Sequence, residues 1–379
     1  MQCYLVGGAV RDRLLGLPVK DRDFVVVGAT PEAMLAQGFV PVGRDFPVFL
    51  HPQTHEEYAL ARTERKTAPG YKGFAFHAQA DVSLEQDLAR RDLTINAMAQ
   101  ADDGSVIDPF GGQTDLRARV LRHVSPAFLE DPVRILRAAR FSARFADFSV
   151  APETMALMRA MVEQGEVDAL VPERAWQEFS RGLSEAKPSR MVQVLRACGA
   201  LARLLPAVEH LWSVSPMSCG EAMLASLDAA ASAGAIAPIR FAILLQKAGT
   251  ATIEAACTQW KVPGQYRDLA IMSGREGAAV LEGSELPERA VALLERCDAF
   301  RKPSRFEHML ETISFLHQGQ KTALLILERW HRTLHAALAV NAGVVAAQTL
   351  QTYPGEPMRI NTAVRQARIL AVSTVGIAL

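Results

Sequence analysis

The apolar positions of this chain change rhythm once, near residue 130. Before that point they come in short runs, and residues 4–6, 24–27, 39–42, 48–50, 58–61 and 106–107 read as strands. Between them, helical spacing predicts helices over 9–15, 31–35 and 93–100. The mixture predicts a small mixed sheet with helices packed on it. The stretch 65–79, RKTAPGYKGFAFHAQ, combines basic, aromatic, Gly and Pro residues without period and reads as a mobile loop. After Glu130 helical spacing dominates to the end, punctuated by Pro172, Pro188, Pro206, Pro216, Pro238, Pro263, Pro287 and Pro303. The expected fold class is α+β, a mixed-sheet head followed by an all-helical neck and body.

Chemistry gathers where the rhythm breaks. Gly7-Gly8 ends the first strand, and the helix that follows carries Arg11 in its first turn. A second strand over 21–27 would turn Asp21 and Asp23 to one face and Arg22 to the other, because alternate side chains of a strand share a face. Two carboxylates on a rigid edge, beside a glycine turn and a helix start, suit Mg²⁺ and a triphosphate held together. Either feature alone is commonplace, an acidic turn or a tight turn; their order carries the inference.

Two arginine-rich blocks add to it. In RRDLTINA (90–97), Asp92 reads as a helix-capping acid with solvated arginines beside it. The functional alternative has Arg91 neutralising phosphate, with Asp92 and Asn96 one turn apart on ribose hydroxyls. In EDPVRILRAARF (130–141), Asp131 suits an N-cap and Pro132 the first helical position. Arg134, Arg137 and Arg140 step by three, with Arg144 four further on, along one helix face. Such a stripe is ordinarily solvated, but this one begins beside a carboxylate. Cytosine and adenine both present an exocyclic amine next to an unprotonated ring nitrogen. A carboxylate accepts from the amine while an arginine donates to the nitrogen, and uracil and guanine reverse both polarities. Asp131 with Arg134 can therefore select CTP and ATP, and unpaired polar groups would penalise UTP and GTP.

Composition narrows the surroundings. Lys+Arg and Asp+Glu both number 41, so no global polycation advertises nucleic acid, and any RNA contact must use a local patch. Five cysteines without CxxC spacing read as buried thiols in a reducing cytoplasm, with no zinc site. Arg11 and Asp12 arrive too early for a signal peptide. No apolar stretch reaches the roughly 20 residues of a membrane span. The most apolar piece, 336–347, is short and holds Asn341.

GGAVRD (7–12), DRD (21–23), RRDLTINA, DPFGG (108–112) with Asp115-Leu116, and EDPVRILRAARF occur in the order found in bacterial CCA-adding tRNA nucleotidyltransferases. The chain resembles that family, in the class shared with bacterial poly(A) polymerases, over about residues 1–145. The resemblance implies a polymerase-β-like head over 1–125, a helical neck over 126–200 and a helical, tRNA-binding body over 201–379. It implies addition of C, C and A to tRNA 3′ ends from CTP and ATP with Mg²⁺, and no protein partner is evident. It assigns Asp21 and Asp23 to catalysis and metal. Gly8, Arg11, Arg91, Asp92, Asn96, Asp131, Arg134, Arg137 and Arg140 fall to nucleotide binding. Glu57 is the candidate third carboxylate, with Glu56 and Glu64 as rivals. The 65–79 segment matches the family's loop for switching from C to A addition.

Poly(A) polymerase shares these motifs, but its signature typically carries extra basic residues where VGRDFPVFL (42–50) has Asp45. Many relatives also carry a metal-dependent HD phosphohydrolase domain after the neck. Here Gln246-Lys247 stands where His-Asp would be, and Cys219-Gly220-Glu221 marks the lost upstream ligand. His210, His308, His317, His331 and His335 lack ligand spacing. The body is expected to be HD-derived without metal ligands. A catalytically silent tRNA-binding protein is the remaining alternative, opposed by the intact motifs.

Overall fold

Residues 1–42, 48–66, 74–77, 80–213, 218–284 and 286–375 are described by the structure, a computed structural model, without the side chains of 64–66, 74–77 and 218. The opening strand β1 (Gln2–Val6) turns through Gly7 into helix α1 (Gly8–Leu14). β2 (Asp23–Val27) returns antiparallel, placing Asp23 abreast of Val6. Helix α2 (Pro31–Ala36) is followed by β3 (Val40–Val42), β4 (Val48–Leu50) and β5 (Glu57–Leu60). β5 runs parallel to β2 with Glu57 abreast of Asp23. β6 (Thr63–Lys66) and β7 (Phe74–His77) form a separate antiparallel pair. After α3 (Leu84–Ala89) and a 3₁₀ turn (Thr94–Asn96), β8 (Ala99–Gln100) and β9 (Val106–Ile107) close the far edge. The seven-stranded mixed sheet has the order β3-β4-β5-β2-β1-β8-β9.

The run Asp-Phe-Val-Val-Val of β2 is apolar without alternation because both faces of the sheet are covered. Val25 joins Val6, Leu88 and Ala97 in one core, whereas Val26 joins Met34, Phe49 and Leu60 in another. Adjacent residues of one strand thus supply two cores.

Three expectations need correction. The predicted helix over 93–100 is a single 3₁₀ turn followed by β8. Leu93, Ile95, Ala97 and Met98 are all fully buried, and an apolar run buried on every side carries no decisive period. The second strand begins at Asp23, leaving Asp21 in the connection before it. Part of the 65–79 segment is strand, since Arg65 and Lys66 end β6 and Phe74–His77 form β7, while 67–73 and 78–79 lie outside the described residues, as does Asp45.

Beyond the sheet come α4 (Gly112–Ala118), β10 (Val120–Leu121) and a second 3₁₀ turn (Pro126–Glu130). Helix α5 (Val133–Arg144) packs against α7 (Pro172–Ser184) and α8 (Pro188–Ala197), with β11 (Ser149–Val150) and α6 (Pro152–Glu163) between α5 and α7 in sequence. α9 (Ala200–Leu204) ends this unit, Met1–Leu204. A second compact unit, Leu205–Leu379, is helical from α10 (Pro206–Glu209) to α19 (Arg359–Ser373). Pro31, Pro152, Pro172, Pro188, Pro206, Pro238, Pro287 and Pro303 sit in the first turns of their helices, where a missing N–H is harmless. Of the prolines that punctuated the sequence, six therefore open helices, Pro263 caps the helix Gly264–Glu282, and Pro216 lies outside the described residues. No single helix among the described residues is long and apolar enough to cross a membrane, although Lys321–Leu338 and Ala342–Thr352 pass that test as a bent pair. Their break falls at Asn341, whose Oδ1 accepts the Val344 N–H at 3.1 Å.

The DPFGG segment anchors the turn that carries Asn96. Asp108 accepts the N–H groups of Gly112 and Gln113 at 2.7 and 2.9 Å, capping α4. Thr94 donates to Asp115 at 2.7 Å. Gly112 lies so close that a Cβ there would stand 2.4 Å from the Thr94 carbonyl oxygen, a backbone atom. Gly111 has φ +73° but open space around it. Gly112→Ala should lower stability by about 2–3 kcal/mol by forcing the turn from α4, and Gly111→Ala by only about 1 kcal/mol of backbone strain. Urea unfolding compares them directly; equal losses would mean that the close approach does not constrain the turn.

Candidate active site

A cleft of about 670 Å³ lies within the first unit, lined by residues of both the sheet region and the helices after it. Gly7 and Gly8 border it at the start of α1, Asp21 just before β2 and Asp23 at its start. Arg91, Asp92 and Asn96 come from the 3₁₀ region, and Asp131, Arg134, Arg137 and Arg140 from the start of α5 and along it. Arg11 completes the set, so every expected site residue except Glu57 lines one cavity.

Arg11 is only 3% exposed, and burial lowers its pKa against the opposing pull of Asp12. Its Nε and Nη2 donate to Asp12 Oδ1 at 2.9 and 2.8 Å, and its Nη1 donates to Asn96 Oδ1. The Asn96 amide in turn donates to Asp92 Oδ1 at 3.0 Å, which also accepts the Leu93 N–H at 2.8 Å. Asp92 Oδ2 accepts from Arg137 Nε at 2.7 Å. Burial alone would raise the Asp92 pKa, but the Arg137 charge and these hydrogen bonds hold it far below the usual carboxylate range. Arg137 is raised in return, chiefly by Asp92. Asp92 is therefore engaged with the protein on both oxygens, and it orients Asn96 and Arg137 instead of presenting a bare carboxylate.

The predicted basic stripe of α5 is largely inside. Arg134 and Arg140 are buried, with Arg134 donating to the Ala127 carbonyl and Arg140 to Glu178, both at 2.6 Å. Arg144 reaches Asp12 at 2.8 Å. Asp131 accepts the Val133 N–H at 3.1 Å, but α5 starts at Val133 with Pro132 at its N-cap, one residue later than expected. The Asp131 carboxylate is also held by Arg174, at 2.6 and 3.3 Å. Arg91 leans over Gly7, where a Cβ would stand 2.8 Å from its Nη1, and it shares Asp87 with Arg90. Gly7 also has φ +67°, so its backbone demands glycine.

Asp21 and Asp23 differ from these. Among the described residues, neither makes a hydrogen bond or ion pair with a protein side chain. Burial raises the Asp23 pKa, with Asp21 adding to the effect and Arg91 opposing it. Two under-neutralised carboxylates side by side are an all-oxygen, anionic donor set, which fits a hard divalent cation. Glu57 lies abreast of Asp23 in parallel register and shares its face of the sheet, though it does not line the cleft. Glu56 faces the other way, 3.0 Å from Arg22. The Glu64 side chain is outside the described residues.

Arg62, Arg90, Phe141, Arg144, Arg174 and Arg181 also line the cleft, and Asp12, Asp87 and Glu178 stand behind it. Arg174, Glu178 and Arg181 share a face of α7, spaced four and three apart; only the three-dimensional packing of α7 on α5 reveals their part. In the second unit, Gln246 and Lys247 follow directly on helix α12 (Ala237–Leu245). A Cβ on Gly220 would meet the Trp212 ring, whose Nε1 donates to Glu221 at 2.9 Å. No group of three or more His, Cys, Asp or Glu among the described residues is placed to hold a metal.

Asp92→Asn should lower stability at pH 7 by about 3 kcal/mol, because it removes the nearer buried partner of Arg137 and leaves only Glu178, 3.6 Å away. The folded-state pKa of Asp92 lies below its unfolded value, so its stabilisation is complete above the unfolded carboxylate range and is lost as pH falls towards the folded value. The gap between wild type and variant should narrow by about 1 kcal/mol at pH 3. Unfolding free energies at the two pH values decide it, and no gap at pH 7 would refute the role.

Comparison with known proteins places the chain. The Poly A polymerase head domain matches residues 3–122, and the probable RNA and SrmB-binding site of polymerase A matches residues 147–211. The Multifunctional CCA protein of Janthinobacterium sp. (strain Marseille) is 53% identical over 410 residues, covering 98% of this chain and 97% of that protein. The Multifunctional CCA protein of Azoarcus sp. (strain BH72) is 55% identical over 377 residues, covering 91% and 92%. The solved Bacillus stearothermophilus CCA-adding enzyme in complex with CTP superposes with a TM-score of 0.69 at 26% identity, over 98% of this chain and 88% of that one. With these relatives and the motif-lined cleft together, the chain belongs to the bacterial CCA-adding tRNA nucleotidyltransferases, the class shared with poly(A) polymerases.

Proposed function

We propose that this chain adds C, C and A in turn to the 3′ end of tRNA, from CTP and ATP and without a nucleic-acid template. One observation carries the reading. Asp21 and Asp23, whose carboxylates make no side-chain hydrogen bond or ion pair among the described residues, share a single cleft with Asp131, Arg134 and the arginines of α1 and α5.

Asp21 and Asp23 would hold Mg²⁺, which when bound lowers the pKa of the attacking 3′ hydroxyl and takes up charge on the leaving oxygens. Glu57, abreast of Asp23, is the candidate third carboxylate. Arg11, Arg91, Arg137 and Arg140 neutralise the triphosphate, and Gly8 lets phosphate approach the backbone. Asp92 and Asn96 fix these arginines and face the ribose. The hydroxyl attacks the α-phosphate in line, and the bond to pyrophosphate breaks as the new P–O bond forms. Asp131 accepts from the exocyclic amine of cytosine or adenine while Arg134 donates to the ring nitrogen. A carboxylate has about four acceptor sites, so Asp131 can serve a base while Arg174 still holds it.

In this reading residues 1–125 are the head and 126–200 the neck that selects the base. Residues 201–379 are an HD-derived body that binds tRNA without phosphohydrolase ligands. The protein works in the cytoplasm, needs no protein partner, and uses the 65–79 segment in the change from C to A.

The test is incorporation on a tRNA transcript lacking its CCA, with Mg²⁺ and each nucleotide singly, then CTP with ATP. Addition should stop at CC with CTP alone and at CCA with both. A long A-tail from ATP alone would instead identify a poly(A) polymerase, and no incorporation a silent tRNA binder. Asp21→Ala and Asp23→Ala should each reduce incorporation by about a thousandfold or more with the fold retained; activity surviving in the double variant refutes the metal assignment. Asp131→Ala should relax the preference for CTP over UTP by about tenfold to a hundredfold, and an unaltered preference would remove Asp131 from base reading.

A further inference from the structure

The carboxylates around the cleft hold its arginines by their N–H groups. Asp12 takes Nε and Nη2 of Arg11, Asp92 the Nε of Arg137, and Glu178 the Nε of Arg140. Each N–H given to a carboxylate is one withheld from a phosphate, since a guanidinium has only five. A second set of contacts makes no such claim. The Phe141 ring is 4% exposed and lines the cleft. The guanidinium carbons of Arg140, Arg11 and Arg137 stand 4.4, 5.1 and 5.9 Å from its centroid. Arg11 comes from α1 and the other two from α5, so one ring gathers cations from separate elements. Behind it Phe145 lies parallel, 6.2 Å away with 4° between the planes, and has Arg11 and Arg144 at 5.3 and 5.2 Å.

The negative face of an aromatic ring attracts a guanidinium most strongly where water is excluded. That attraction acts on the delocalised charge and leaves the N–H groups available. Three like charges around one buried ring repel one another, and an aliphatic side chain of similar volume would exclude water without opposing that repulsion.

We propose that Phe141 is a positioning residue for triphosphate binding, its ring gathering Arg11, Arg137 and Arg140 so that their remaining N–H groups converge on one set of phosphate oxygens. This rests on the reading that these arginines bind the nucleotide.

Titration calorimetry with CTP and with ATP in the presence of Mg²⁺, beside incorporation kinetics on the shortened tRNA, tests it on wild type, Phe141→Leu, Phe141→Met and Phe141→Tyr. Both aliphatic variants should bind CTP and ATP about tenfold more weakly and raise KM to match, with kcat within about threefold of wild type. Phe141→Tyr keeps the aromatic face and should recover affinity to within about threefold of wild type. An aliphatic variant that is folded by circular dichroism and binds CTP as wild type does would overturn the proposal. Equal weakening in Phe141→Tyr would also overturn it, by reducing the ring to packing. Wild-type protein that binds CTP but incorporates nothing would remove the transferase reading, and the same titrations would still decide the role of the ring.

Discussion

The cleft depends on buried negative charge placed between arginines. Arg11, Arg137, Arg140 and Arg144 line one cavity, and four guanidinium groups so close would drive α1 and α5 apart. Asp12 stands between Arg11 and Arg144, Asp92 holds Arg137, and Glu178 holds Arg140. Asn96 joins the first two sets by accepting from Arg11 and donating to Asp92. A buried ion pair is weak evidence of net stability, because desolvation offsets much of its attraction. Its value here is specificity of place: removing Asp12 would leave the buried Arg11 without its ion-pair partner, so the elements have one good arrangement. The supports of that arrangement reach back into the sheet region, where Asp115 and Asp108 fix the turn bearing Asn96.

Much of this was legible in the sequence, and what was not has physical reasons. Strands were readable because β-rich runs such as Phe24–Val27 are short and bounded by turns. The arginine spacing of EDPVRILRAARF was readable because positions within one helix fix relative direction, whereas DRD crosses the start of β2, where strand alternation does not reach Asp21. The apolar run around Leu93 to Met98 misled, since burial on all sides erases the period that separates a helix from a 3₁₀ turn and strand. The arginines of α5 showed their spacing but not their burial. Their partners, Asp12, Asp92 and Glu178, lie 132, 45 and 38 residues away in the chain, and no local pattern reports such pairings. Arg174 was missed for the same reason, 43 residues from the carboxylate that it holds. Glu57 was set ahead of Glu56 and Glu64 from the sequence; sheet register, which the chain alone does not display, lays it abreast of Asp23, while Glu56 pairs with Arg22.

Two kinds of carboxylate share the cleft, and the contrast between them explains its chemistry. Asp92 and Asp131 are satisfied by arginines, backbone N–H groups or Asn96, and the pKa of Asp92 is driven down. Asp23 is partly desolvated beside Asp21 and is driven up. The protein has used its cations to build a wall and has left its acid pair short of positive charge. In the proposed reading, a triphosphate would bring negative charge to the wall, and a divalent cation would bring positive charge to the acid pair. Either alone would leave half the cleft unbalanced, so metal and nucleotide should reinforce each other's binding by simple electrostatics. In that reading, the phosphate lying between the arginine wall and the acid pair would be the one attacked.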